Sequence, residues 1–238
     1  MNHTSRAWVE ADLGAFRRNL LRVRDSARGA GVVPMLKADA YGMGMEAVLG
    51  AAREALAPHG GPWAIGVAAV AEGEALRRFG WTGRVVVFSP VPPGETARAA
   101  AAELAVSISS LDALARWADA AREAGKRLPF HLEVDTGMGR AGLPCGEAEA
   151  WGARTLEIAG DLLAWEGCYT HFHSADEPDL ASADAQQRRF EEALAKLPPA
   201  PEGAPRVVHS ANSAAAVRRG GYGMDLVRPG IFLYGGSA

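Results

Sequence analysis

Eight short apolar runs alternate with amphipathic stretches along the whole chain, and that alternation restricts the fold more than any other feature. The runs are Val32–Leu36, Trp63–Val67, Val85–Phe88, Leu104–Ile108, Phe130–Val134, Leu163–Thr170, Val207–His209 and Leu226–Arg228. Between them the periodicity is helical. Asp12 is placed to cap a helix with Leu13, Phe16, Leu20 and Val23 on one face, and Ser110 to cap another carrying Leu111, Leu114 and Trp117. A third runs through Phe190, Leu194 and Leu197. Strands that alternate with helices form a parallel sheet, and eight of them predict an α/β fold closed as a (β/α)8, TIM-type barrel. The length of 238 residues is close to the roughly 250 typical of such a barrel. Neither a repeat nor an interdomain linker is visible, so 1–238 reads as a single domain; the Pro-rich segment 198–205 fits a loop before the seventh strand. Ala7-Trp8-Val9-Glu10 reads as a strand ahead of the barrel, with no evident partner inside it.

Composition removes several classes of function. The net charge is −3, with no basic cluster for nucleic acid, and no apolar run is long enough to cross a bilayer. The first residues lack the apolar stretch of a signal peptide, and Cys145 and Cys168 match no metal or redox spacing, so a cytoplasmic setting is expected. One bias is informative. Of 25 basic residues only Lys37, Lys126 and Lys196 are lysine. Lys126 and Lys196 fall near the ends of polar helices, whereas Lys37 ends an apolar strand. An amine can lose its proton and attack a carbonyl where a guanidinium cannot.

In a barrel the working residues gather at the C-terminal ends of the strands. Lys37 closes the first strand, His171 the sixth and Arg228 the eighth; Asn212 and Ser213 follow the seventh, and 135–140 follow the fifth. The corner after strands seven and eight is where barrels commonly hold phosphate. Ser213 offers a hydroxyl there, and Gly230 and Ile231 offer backbone N–H groups. An amine beside a phosphate corner is the minimum for pyridoxal phosphate (PLP), although a barrel for another phosphorylated small molecule would look much the same.

The local strings are more specific. Leu36-Lys37-Ala38-Asp39-Ala40-Tyr41-Gly42-Met43-Gly44, Asp135-Thr136-Gly137-Met138-Gly139-Arg140, Tyr169-Thr170-His171-Phe172, His209-Ser210-Ala211-Asn212-Ser213-Ala214-Ala215 and Val227-Arg228-Pro229-Gly230-Ile231 occur in that order. Together they resemble the N-terminal barrel of the alanine racemases. The resemblance implies a PLP-dependent isomerase of the fold-type III class, interconverting L- and D-alanine in the bacterial cytoplasm for peptidoglycan. It also implies roles. Lys37 would be the Schiff-base lysine and the base on one face of the substrate. Tyr41, Ser213, Gly230 and Ile231 would hold the phosphate. Arg228 would donate to the pyridine nitrogen with His171 hydrogen-bonded behind it. Arg140 would meet the substrate carboxylate, and Asn212 would line the same pocket.

The sequence departs from the family pattern in three places. Glu133 stands where many relatives carry a carbamylated lysine, and it is expected to pair with Arg140 as a built-in anion. His171 and His173 would share a strand face, but no third ligand is evident, so no metal site is expected. The resembling enzymes continue into a β-domain that supplies the opposite-face base and much of a homodimer interface. Residues 1–10 are expected to pack on such a domain, and the chain has an assigned base for one face only. Two other readings fit the same fold: a non-catalytic PLP carrier, and a D-amino-acid lyase.

Overall fold

Parallel strands rich in Val, Ile and Leu, buried on both faces, need helices outside and side chains inside, and the computed structural model, which describes residues 8–200 and 206–237, has that arrangement. The strands are β1 (Gly31–Val32), β2 (Ile65–Val67), β3 (Val85–Pro90), β4 (Ala105–Ile108), β5 (Leu128–Asp135), β6 (Leu143–Pro144), β7 (Leu163–Tyr169), β8 (Val207–His209) and β9 (Leu226–Val227). β2, β3, β4, β5, β7 and β8 pair in that order, all parallel, and β9 pairs with β1. The ring closes through backbone bonds at two seams. Met35 bridges Gly66 and Trp63 N–H donates to Val32 O between β1 and β2; Asp225 N–H donates to Val208 O and Arg228 N–H to Ala211 O between β8 and β9. All eight expected strands are present. β1 is formally short because Pro34 has no N–H, yet Val33 and Met35 still donate to Val227 O and Pro229 O. The short β6, which pairs only with the end of β5, was not expected.

Besides short 3-10 turns, nine α segments occur among the described residues: α1 (Leu13–Ser26), α2 (Lys37–Tyr41), α3 (Met45–Leu56), α4 (Val70–Arg78), α5 (Thr96–Ala101), α6 (Leu111–Ala124), α7 (Ala148–Ala159), α8 (Ala181–Leu194) and α9 (Ser213–Arg218). The caps follow the sequence: Asp12 accepts Ala15 N–H at 2.9 Å and Ser110 accepts Ala113 N–H at 3.2 Å. Phe16, Leu20 and Val23 of α1 and Leu114 and Trp117 of α6 are buried in the main core between helices and sheet. A smaller cluster, Val33, Ala64, Val86, Ala105 and Leu226, fills the barrel interior. Trp8–Glu10 form no strand, in contrast to expectation, and Ala7 and 201–205 lie outside the described residues.

Candidate active site

The first strand delivers Lys37 onto an unusual turn. Ala38, Asp39, Ala40 and Tyr41 all have positive φ, between +50 and +56°, so α2 is a turn of left-handed helix without glycine. Each such residue costs about 1–2 kcal/mol against right-handed backbone. Gly42 N–H donates to Ala38 O at 2.9 Å and Gly44 N–H to Asp39 O at 3.0 Å, which closes the turn. The result places Lys37 Nζ 5.7 Å from the centre of the Tyr41 ring. Tyr41 stacks on Tyr234 at 4.6 Å, and the Tyr234 hydroxyl donates to Met35 O. Lys37 Nζ has no hydrogen-bond or ion-pair partner among the described residues.

The amine opens on a cavity of about 500 Å³ at the C-terminal ends of the strands. Its wall brings together Lys37, Tyr41, Glu133, Arg140, His171, Asn212, Ser213, Arg228, Gly230 and Ile231, the ten residues singled out from the sequence. At the corner between α9 and the 3-10 turn Ile231–Tyr234, Gly230 N–H donates to Ser213 Oγ at 2.8 Å, and Asn212 Oδ1 caps α9 through Ala215 N–H. A Cβ on Gly230 would collide with the Tyr41 hydroxyl, so glycine is required for the tyrosine to reach this corner.

Arg228 is buried and held by three acceptors. Nη1 donates to His209 Nδ1 at 2.6 Å; Nη2 donates to Thr170 O at 2.8 Å and Ser210 O at 3.2 Å. Nε has no hydrogen-bond partner among the described residues. Burial pulls the guanidinium down to about 10, against the opposing pull of Tyr169 and Glu133, so it stays charged at neutral pH. The histidine behind Arg228 is therefore His209, not His171 as expected. β8 carries His209 inward next to Arg228 of the neighbouring strand, whereas His171 lies beyond the end of β7. Because a guanidinium only donates, His209 Nδ1 must accept, and its Nε2–H then donates to His131 Nδ1 at 3.0 Å. His131 Nε2 is buried with no hydrogen-bond partner among the described residues. Burial and the nearby arginine keep both rings neutral: His131 is brought down to about 3 and His209 well below the ordinary value. A Cβ at Gly167 would strike the His131 ring, so that glycine makes room for the pair.

Two other expectations are corrected. Glu133 does not pair with Arg140. It is buried on β5 among Ser109, whose hydroxyl donates to it at 3.2 Å, and Tyr169, whereas Arg140 is exposed on a loop knotted by Asp135. Glu133 instead sits close enough to Tyr169 and Arg228 to push on both: it adds to the rise that burial gives Tyr169, and it opposes the larger lowering that burial imposes on Arg228. His171 and His173 do not share a strand face, because β7 stops at Tyr169; His173 is exposed and outside the cavity wall. No group of three or more metal-ligating side chains is present among the described residues. His171 is brought down to about 3 by burial and then by the positive Arg228, Arg140 and Lys37.

Residues 11–238 match the model of the alanine racemase N-terminal domain. The chain belongs to the alanine racemase family. An alanine racemase of Geobacter sulfurreducens is 41% identical over 237 residues, covering 95% of this chain and 58% of that protein. Among solved structures, an alanine racemase from Clostridium difficile 630 superposes with a TM-score of 0.86 at 26% identity, covering 98% of this chain and 59% of the other. A histidine racemase from Leuconostoc mesenteroides subsp. sake superposes at 0.81 and 26% identity, covering 94% and 57%. The chain thus spans about three-fifths of the length of these alanine racemase family relatives. None of the helices among the described residues is long and apolar enough to cross a membrane.

Proposed function

We propose that the chain is the PLP-binding barrel of a bacterial, cytoplasmic amino-acid racemase that interconverts L- and D-alanine as part of a homodimer, supplying D-alanine for peptidoglycan. The observation that carries this reading is Lys37: an amine with no hydrogen-bond or ion-pair partner among the described residues, carried on a left-handed turn at a cavity that also holds Arg228, Arg140 and the Ser213–Gly230 corner. When bound, PLP supplies an electron sink that eases loss of the Cα proton. The donor set fits it. Lys37 Nζ would take the aldehyde, and Ser213, whose oxygen already accepts Gly230 N–H, would offer its O–H to the phosphate beside Ile231 N–H and the Tyr41 hydroxyl. Arg228, which can only donate, would serve the ring nitrogen as a donor, keeping that nitrogen unprotonated and limiting side reactions.

Lys37 Nζ is then the group that takes and returns the proton on the D-alanine face. Arg140, exposed at the rim, receives the substrate carboxylate, and Asn212 closes the wall beside the cofactor. A neutral His171 adds no further positive charge next to Lys37, Arg140 and Arg228. The test is α-proton exchange: the chain with PLP in heavy water, offered D- and L-alanine separately, with serine and histidine as comparisons because the histidine racemase shares the fold. Exchange at Cα of D-alanine, lost in Lys37→Ala, is expected. A chain that holds PLP yet exchanges no amino acid would favour a carrier instead.

A further inference from the structure

The left-handed turn after Lys37 needs an outside hold. Ala38, Asp39, Ala40 and Tyr41 have φ of +53, +50, +55 and +56°, and none is glycine, so the turn alone reverts to right-handed or extended backbone. Three side chains oppose that. The Asp39 carboxylate accepts Met45 N–H at 2.7 Å, and Tyr41 stacks on Tyr234. The third is Glu72, which comes from the first turn of α4. Its Oε1 accepts the Ala38 N–H at 2.6 Å, and its Oε2 accepts Ala68 N–H at 2.8 Å and Ala69 N–H at 3.2 Å.

Glu72 is the third residue of α4, where a carboxylate ordinarily reaches back to the capping residue. One oxygen suffices for that, and here Oε2 does it. The other oxygen is spent on the amide directly after Lys37, 34 positions earlier in the chain. Both oxygens are needed, and only a carboxylate has two acceptor oxygens at this reach; a glutamine has one. The segment that Oε2 grips borders the cavity too, since Val67 and Ala68 line its wall. We propose that Glu72 is a positioning residue: it ties the Lys37 turn to the loop after β2, holds the turn left-handed, and so aims the Lys37 amine into the cavity. This rests on the reading of Lys37 given above.

The test uses the whole chain as wild type, Glu72→Gln, Glu72→Ala and Asp12→Ala. Asp12 caps α1 and is outside the cavity wall, so its loss lowers stability without touching the turn. Amide exchange by NMR is followed at Ala38, Gly42 and Gly44 in the cofactor-free chain. In parallel, the rate at which borohydride traps a pyridoxal label on Lys37 is read by mass spectrometry. One charge-assisted hydrogen bond corresponds to about tenfold or more. Both Glu72 variants should therefore exchange at least about tenfold faster at Gly42 and Gly44 and take label correspondingly more slowly, with glutamine the milder of the two. Asp12→Ala should lower the melting temperature and leave both readings unchanged. Unchanged exchange in Glu72→Ala overturns the proposal, as does an equal change in Asp12→Ala or an opened turn with an undiminished labelling rate. A wild-type chain that takes no label on Lys37 refutes the cofactor reading instead, and the exchange data then decide alone whether Glu72 holds the turn.

Discussion

Mild acid should destabilise this barrel through two histidines at its centre. His131 and His209 are fully buried, neutral, and bonded to each other behind Arg228, with His131 brought down to about 3 and His209 well below its usual value. In the unfolded chain each returns to about 6.5. Above that pH neither state binds a proton at these rings. As pH falls through 6.5, the unfolded chain takes up protons that the native barrel refuses, so stability is lost progressively down to the native values. Between pH 7.5 and 5.5 each ring contributes a loss of about 1.4 kcal/mol, and the pair about 3 kcal/mol, a hundredfold or so in the folded-to-unfolded ratio. Asp12, Glu74, Glu103 and Asp184 are held below their ordinary values and titrate at lower pH, whereas Glu166 is raised by burial and opposes the histidines in sign, so the series is repeated in Glu166→Gln. Urea unfolding at half-unit steps of pH measures it directly. The slope below pH 6 should approach three protons, one each from His131, His209 and His171, which is also brought down to about 3, and His209→Asn should remove one of them. Stability that is flat from pH 7.5 to 5.5 would show that the two rings bind protons in the native state, and would refute the neutral relay behind Arg228.

Gly230→Ala places a methyl group against the Tyr41 hydroxyl; it should cost about 1–3 kcal/mol in thermal unfolding and weaken PLP binding, seen in a fluorescence titration. Because Glu133 and Arg140 are not paired, Glu133→Gln and Arg140→Ala should be additive in PLP affinity to within about 0.5 kcal/mol. A coupling above about 1 kcal/mol would restore the direct pair. The Gln186 side chain bonds Thr136 Oγ1, His171 O and His173 N–H, joining the loop that carries Arg140 to the loop that carries His171. Gln186→Leu should cost about 2–3 kcal/mol in denaturant unfolding and increase amide exchange at Gly137 and Gly139.

The strands were legible because each is a run of β-branched and aliphatic residues between helical periodicities, and the site because barrels place function at strand ends. What was hidden depends on contacts far apart in the chain. His209 ends a strand like any buried polar residue, and only the neighbouring β9 shows that it, rather than His171, supports Arg228. Seven residues separate Glu133 from Arg140, but strand direction turns the first inward and the loop carries the second to the rim. The left-handed turn leaves no local mark, since Ala-Asp-Ala-Tyr has none of the glycines that usually signal positive φ; its support from Glu72 comes from the helix that follows another strand. The two-residue β6 is too short for any periodicity to report.

The scarcity of lysine makes the central claim simple to test. The chain is incubated with PLP, treated with borohydride, digested, and the labelled peptides are mapped. Of Lys37, Lys126 and Lys196, only Lys37 lines the cavity, whereas Lys126 is exposed and ion-paired with Glu103. Label on Lys37 alone, lost when free phosphate competes for the Ser213–Gly230 corner, is the expected result. Label spread over Lys126 and Lys196, or none on Lys37, would contradict a PLP site in this barrel.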